Sequence, residues 1–134
     1  MSAAQLVACR GVRGAITVDG DGEAAVTAAT TALLSRLLAD NDCRLEDVAA
    51  AVFTVPDDLS GANPAAAARA AGWASVPLLM VREHPGDLDV DRCLRVLLLW
   101  NTTRAQADVR HAYLGGAAML RPDLSAAREP RRPR

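Results

Sequence analysis

The segment Cys93–Trp100 reads Cys-Leu-Arg-Val-Leu-Leu-Leu-Trp, the most apolar strand-like run in the chain, with a single guanidinium inside it. A second run, Leu6–Ile16, repeats the anomaly at Arg13. Neither arginine has an obvious local acid partner. Arginine stays protonated in proteins, so it cannot shed its charge when half-buried. Such a position is costly unless a carboxylate or phosphate meets the planar fork. The fold therefore needs strands that carry cationic forks to a small anion.

The rest of the chain supplies a layer to pack on those strands. Leu6–Ile16 contains Gly11 and Gly14, which suit a strand approached closely by another backbone or a ligand. Asp19-Gly20-Asp21-Gly22 makes a turn, and Asp21 is placed to cap a helix whose stripe Val26, Thr30, Leu33 and Leu37 follows the helical period, ending at Asp40-Asn41-Asp42. Val48–Phe53, within Glu46–Val55, predicts a second strand closed by Pro56. Pro64 opens a short Ala-rich helix that Gly72 closes, with Arg69 near its C-terminal end. Val76–Arg82 predicts a third strand, Leu94–Trp100 a fourth and Ala117–Leu120 a fifth, with Arg104–Leu114 helical because Ala105, Val109 and Tyr113 recur every four residues. These elements predict one domain over residues 1–134, an α+β (mixed α/β) fold with a single mixed sheet of about five strands and helices packed on it. Residues 1–8 read as an N-terminal extension. The polar, Arg- and Pro-rich tail from Ser125 is expected to be disordered.

Composition excludes several functions. At 134 residues the chain can bury a core without metal or disulfide staples, and its aromatic content of 3% leaves that core to Ala, Val, Leu and Ile. A net charge of −1 gives no basic excess for nucleic acid, although all 15 basic residues are arginine. Three cysteines, Cys9, Cys43 and Cys93, form no Cys-x-x-Cys pair and read as buried free thiols in a reducing cytoplasm. No apolar stretch is long enough to span a membrane. His84 beside Pro85 reads as a loop residue and His111 as a hydrogen-bonded structural one, too few histidines for a typical metal site. There is no nucleophile elbow, P-loop or dinucleotide fingerprint, so neither a cofactor nor a metal is expected.

What remains is a set of arginines with Glu83, at the end of the third strand, and Tyr113, the only tyrosine. Strand alternation places Arg95 on one face with Cys93 and Leu97, and Arg13 with Cys9 and Gly11; Arg10 falls on the opposite face and reads as structural. Five short motifs hold these residues: Arg10-Gly11-Val12-Arg13-Gly14-Ala15-Ile16-Thr17-Val18, Gly72-Trp73-Ala74-Ser75-Val76-Pro77-Leu78-Leu79 up to Glu83, Cys93-Leu94-Arg95-Val96, Arg110-His111-Ala112-Tyr113-Leu114, and Leu120-Arg121-Pro122-Asp123-Leu124. Together, in this order and spacing from about Cys9 to Leu124, they closely resemble the AroH class of chorismate mutases.

The resemblance implies a barrel-like homotrimer of a mixed α/β fold, cytoplasmic, with active sites at subunit interfaces, converting chorismate to prephenate in phenylalanine and tyrosine biosynthesis. By similarity Arg95 would donate to the substrate's ether oxygen and Glu83 would accept from its ring hydroxyl. Arg13 and Tyr113 would hold carboxylate, Arg69 would guard the mouth, Leu78, Leu79 and Met80 would line the ring pocket, and Leu120 with Arg121 would form a wall at a strand end. Asn63 and Ala66 depart from the family, which usually has an aromatic residue before the loop proline and in some members a Lys in the next helix. Two other readings compete: a carboxylate-clamping imine or enamine deaminase-like trimer, and a non-catalytic metabolite-binding module.

Overall fold

The computed structural model describes residues 6–59, 61–86 and 90–121. Its frame is one five-stranded mixed sheet. The strands are β1 (Ala8–Thr17), β2 (Val48–Val55), β3 (Leu78–Arg82), β4 (Cys93–Thr102) and β5 (Ala112–Leu114), in the order β3-β2-β4-β1-β5. β4, the most apolar strand, is central and antiparallel to both neighbours, while β3 and β5 pair parallel to β2 and β1 at the two edges.

One face of the sheet is covered by helix α1 (Glu23–Asn41) and by the short α2 (Pro64–Ala68). Val26, Leu33, Leu34 and Leu37 form a buried stripe; the three leucines pack with Val12, Phe53, Val96 and Leu98 of the sheet, while Val26 packs with Val18, Leu59 and Leu94. Each such large side chain contributes about 1.5–3 kcal/mol when taken out of water. Thr30 lies inside this stripe without penalty because its hydroxyl donates to the Val26 carbonyl at 2.7 Å. Gly14 is the point of closest approach: a Cβ there would lie 2.7 Å from Leu37 Cδ1 and 3.1 Å from Leu33 Cδ1. The neighbour that requires this glycine is thus the helix layer, not a ligand.

Several expectations are corrected. Gly22, not Asp21, occupies the N-cap of α1, with no side-chain cap. Asn63 caps α2 by accepting from the Ala66 amide at 3.0 Å, and the helix runs into a wider turn, Arg69–Trp73, ended by Gly72 at φ 104°. Cys9 is exposed and Cys43 half-buried, so only Cys93 is the buried thiol expected of all three. Ala8 belongs to β1 rather than to an extension. The tail from Ser125 lies outside the described residues.

The largest correction concerns 104–120. The four-residue spacing of Ala105, Val109 and Tyr113 does not make a helix. Gln106–Asp108 is a single tight turn and Ala112–Leu114 is the fifth strand. Hydrogen bonds from elsewhere in the fold outweigh the local pattern. Gln106 Nε2 donates to the Gly11 carbonyl at 2.7 Å while the Gly11 amide donates to Gln106 Oε1 at 2.9 Å. Asn41 makes the same two-way contact with the Arg110 backbone, both bonds at 2.8 Å. The chain is thereby laid along the open edge of β1, where β5 pairs. The segment expected as a strand, 117–120, falls instead in and just after a helical turn, Gly115–Met119, which Gly115 enters at φ 58°.

Candidate active site

The second sheet face carries the anomalous arginines. Cross-strand register sets one row of side chains as Val81, Thr54, Arg95, Ala15 and Tyr113, and the adjoining row as Leu79, Val52, Leu97 and Arg13. Arg95, Arg13 and Tyr113 therefore share a face although they lie on three strands. Glu83 follows β3 by one residue and its amide donates to the Val55 carbonyl at 2.9 Å, which continues the β2–β3 ladder and aims the carboxylate at Arg95. Arg95 Nε and Glu83 Oε1 are 3.0 Å apart. The acid partner that Arg95 lacks in its own strand comes from the edge strand two positions away in the sheet.

These two residues line a cleft of about 260 Å³ with Asp57, Asp58, Asp91 and Cys93. Asp57 pairs with Arg82 at 3.1 Å, and Asp58 accepts from the Arg92 amide at 2.7 Å. Arg92 holds a left-handed backbone, φ 47°, and its Nε donates to the Val18 carbonyl at 3.0 Å, so it fastens the start of β4 to the end of β1 beside the cleft. Burial pushes the Cys93 thiol up, outweighing the Arg95 charge that favours thiolate, while Glu83 and Asp58 add to the rise. Burial thus favours the thiol over the thiolate at Cys93, which walls the cleft.

Tyr113 is buried with Ala15, Cys93 and Ala117, and Leu120 packs on that cluster. Leu120 and Arg121 follow a helical turn rather than a strand end. The Arg13 amide donates to His111 Nδ1 at 2.9 Å, the hydrogen-bonded role expected of this histidine. Burial, then the charges of Arg13 and Arg121, hold the imidazole below its usual range. Arg10 turns to the opposite side and donates to the Arg104 carbonyl at 3.0 Å.

Not every candidate joins this group. Alternation in β3 sends only Leu79 to the arginine face; Leu78 packs against the helix-side core, and Met80 pairs with the buried Phe53. Arg69 is exposed at the end of α2, in the helix layer, and does not line the cleft. Asn63 and Ala66 border a separate hollow between α2 and the start of α1. Three contributors escaped the sequence reading: Thr54, whose hydroxyl donates to Glu83 Oε1 at 2.6 Å, and the acids Asp58 and Asp91. A lone hydroxyl in the apolar run Val48–Val55 was the available signal for Thr54.

Among the described residues, no helix is long and apolar enough to cross a membrane, and no group of three or more His, Cys, Asp and Glu could hold a metal ion. Residues 9–124 match the family model for chorismate mutase type I. The chain is 50% identical over 119 residues to the chorismate mutase AroH of Thermus thermophilus, covering 88% of this chain and 98% of that one. It is 36% identical over 117 residues to the chorismate mutase AroH of Bacillus subtilis strain 168, covering 87% and 92%. A solved chorismate mutase from Clostridium thermocellum superposes with a TM-score of 0.78 at 35% identity, covering 81% of this chain and 97% of that one.

Proposed function

The chain belongs to the chorismate mutase type I family and has chorismate mutase function, and from that premise we propose that Arg95 and Glu83 form its chemical centre in a site shared between subunits of a homotrimer. The reaction is an intramolecular rearrangement of chorismate to prephenate that breaks one C–O bond and makes one C–C bond. It needs no nucleophile, which accords with a protonated Cys93. Two physical effects suffice: holding the enolpyruvyl arm over the ring, and stabilising the negative charge that grows on the ether oxygen.

The observation that carries this reading is the Arg95–Glu83 pair at 3.0 Å. Arg95 Nε makes no hydrogen bond of proper geometry within the chain, and its side chain, 38% exposed, lines the cleft, so this N–H is an uncommitted donor of a guanidinium that borders it. An ether oxygen that gains charge in the transition state would meet it. Glu83 holds the guanidinium by charge and keeps its second oxygen for the ring hydroxyl. Arg13 and Tyr113, on the same face, are assigned to substrate carboxylate, with Arg121 and Leu120 beside them.

Two features support the subunit interface. First, the cleft lining offers one guanidinium against Asp57, Asp58, Glu83 and Asp91, too little positive charge for a dicarboxylate. Arg69 lies outside it, and a neighbouring copy could bring that residue to the mouth. Second, the arginine face leaves Leu79, Val81 and Leu97 exposed by 59%, 41% and 40%, an apolar sheet surface suited to burial against another copy. Assignment to the cytoplasm rests on the free cysteines and is part of the same proposal.

Incubating purified protein with chorismate, then converting any prephenate to phenylpyruvate with acid, tests the activity and separates it from a deaminase or a silent binding module. A mass in solution of three chains supports the interface, and a monomer that turns over chorismate at full rate contradicts it.

A further inference from the structure

Thr54 is the one hydroxyl on β2, and the ladder places it directly between Val81 of β3 and Arg95 of β4. Its Oγ1 donates to Glu83 Oε1 at 2.6 Å, and Arg95 Nε lies 3.0 Å from that same oxygen. A guanidinium this close to a carboxylate would ordinarily close into a straight charge-assisted bond. Here it does not: Nε is buried and has no hydrogen bond of proper geometry. The hydroxyl already occupies the oxygen that Arg95 faces. Threonine suits this task because its branched Cβ restricts χ1 and fixes where the hydroxyl points.

We propose that Thr54 is a positioning residue for the rearrangement: its hydroxyl engages the Glu83 oxygen nearest Arg95, so that Glu83 holds the guanidinium by charge while the Arg95 Nε–H remains available to the substrate's ether oxygen. This rests on Arg95 being the donor to that oxygen. Without the hydroxyl, Glu83 Oε1 can accept fully from Nε, and the donor must be pulled away before it can serve the transition state. Only interactions stronger in the transition state than in the ground state raise turnover, so the loss falls on kcat rather than on KM.

The test compares Thr54→Val, close in shape but without the hydroxyl, with Thr54→Ser, which restores it. Thr54→Val is expected to lower kcat about tenfold or more with KM little changed, since it disturbs a preorganised donor without deleting it. Thr54→Ser recovers most of that loss. In a Glu83→Ala background, Thr54→Val has no further effect, because Thr54 acts through Glu83. Independently of turnover, the Arg95 Nε–H proton resonance moves downfield in Thr54→Val as that bond straightens; Thr54→Ala serves for both readouts should the valine variant not fold. A valine variant with wild-type kcat, in an enzyme that does convert chorismate, overturns the role of Thr54 alone. An equal loss in the Glu83→Ala background overturns it too, since the effect is then on the sheet. A wild-type chain with no turnover overturns the reading of the site itself, and the role of Thr54 with it.

Discussion

Gln106 and Gly11, 95 residues apart, exchange two hydrogen bonds, so that a side-chain amide imitates the next rung of the β1 ladder. Two residues along β1, the Arg13 amide donates to His111, and from Gly14 onward the backbone of β5 takes over. The edge that bears Arg13 is thereby satisfied rung by rung, partly by side chains. On the arginine face, this keeps Arg13 and Tyr113 in fixed register with Arg95.

Asn41 anchors the same segment from the helix layer. It is 1% exposed, and both sides of its amide engage Arg110 while Nδ2 also reaches the Leu37 carbonyl at 2.8 Å. Asn41→Ala strands buried backbone groups and is expected to cost about 1–3 kcal/mol of stability. Denaturant unfolding measures this directly, and an unchanged midpoint with an unchanged slope contradicts the anchoring role.

His111 gives stability a pH dependence of definite sign. Burial and the charges of Arg13 and Arg121 depress its folded pKa below the ordinary 6.5, so the unfolded chain takes up the proton first on acidification. Its contribution is therefore complete above about pH 6.5 and declines as pH falls toward the folded value. Protonation also removes the Nδ1 lone pair that accepts from the Arg13 amide. Melting temperatures should fall with pH through this window in the wild type and fall less in His111→Asn, which keeps an acceptor but cannot titrate. Equal slopes for the two proteins contradict the assignment.

Gly14 faces the helix layer with no room for a side chain. Gly14→Val places atoms within 2.7 Å of Leu37 Cδ1 or nearer, and should destabilise the fold by about 1–3 kcal/mol through overpacking. Shortening the opposing residue with Leu37→Ala in the same chain should recover part of that loss, a coupling that a double-mutant cycle reads. Strict additivity of the two changes contradicts the contact.

The sequence pattern was a good guide where one local period decided the outcome. The stripe of α1, the Pro64 start and Gly72 exit of α2, and the first four strands follow from alternation and helical spacing, because burial on one face rewards those periods. It misled where distant partners decide. Gln106 and Asn41 hold 106–110 along β1, and no periodicity within that segment announces hydrogen bonds to Gly11 and from α1. At the site, alternation set Arg95 with Cys93 and Leu97 and Arg13 with Cys9 and Gly11 within their own strands; the register of β1 on β4 makes those two faces one, and the end of β3 brings Glu83 to Arg95. Thr54 and the acids of the cleft depend on inter-strand register, which one sequence does not specify.

Replacing Arg95 by lysine keeps the charge near Glu83 but removes the planar fork. The Arg95 side chain is 38% exposed, so the fold should tolerate the change. Measured on chorismate, Arg95→Lys is predicted to lose about 2.7–4 kcal/mol of transition-state stabilisation, a fall of about 10²–10³ in kcat, with its melting temperature near wild type. A lysine variant that forms prephenate as fast as the wild type would contradict the claim that this guanidinium is the donor on which the chemistry depends.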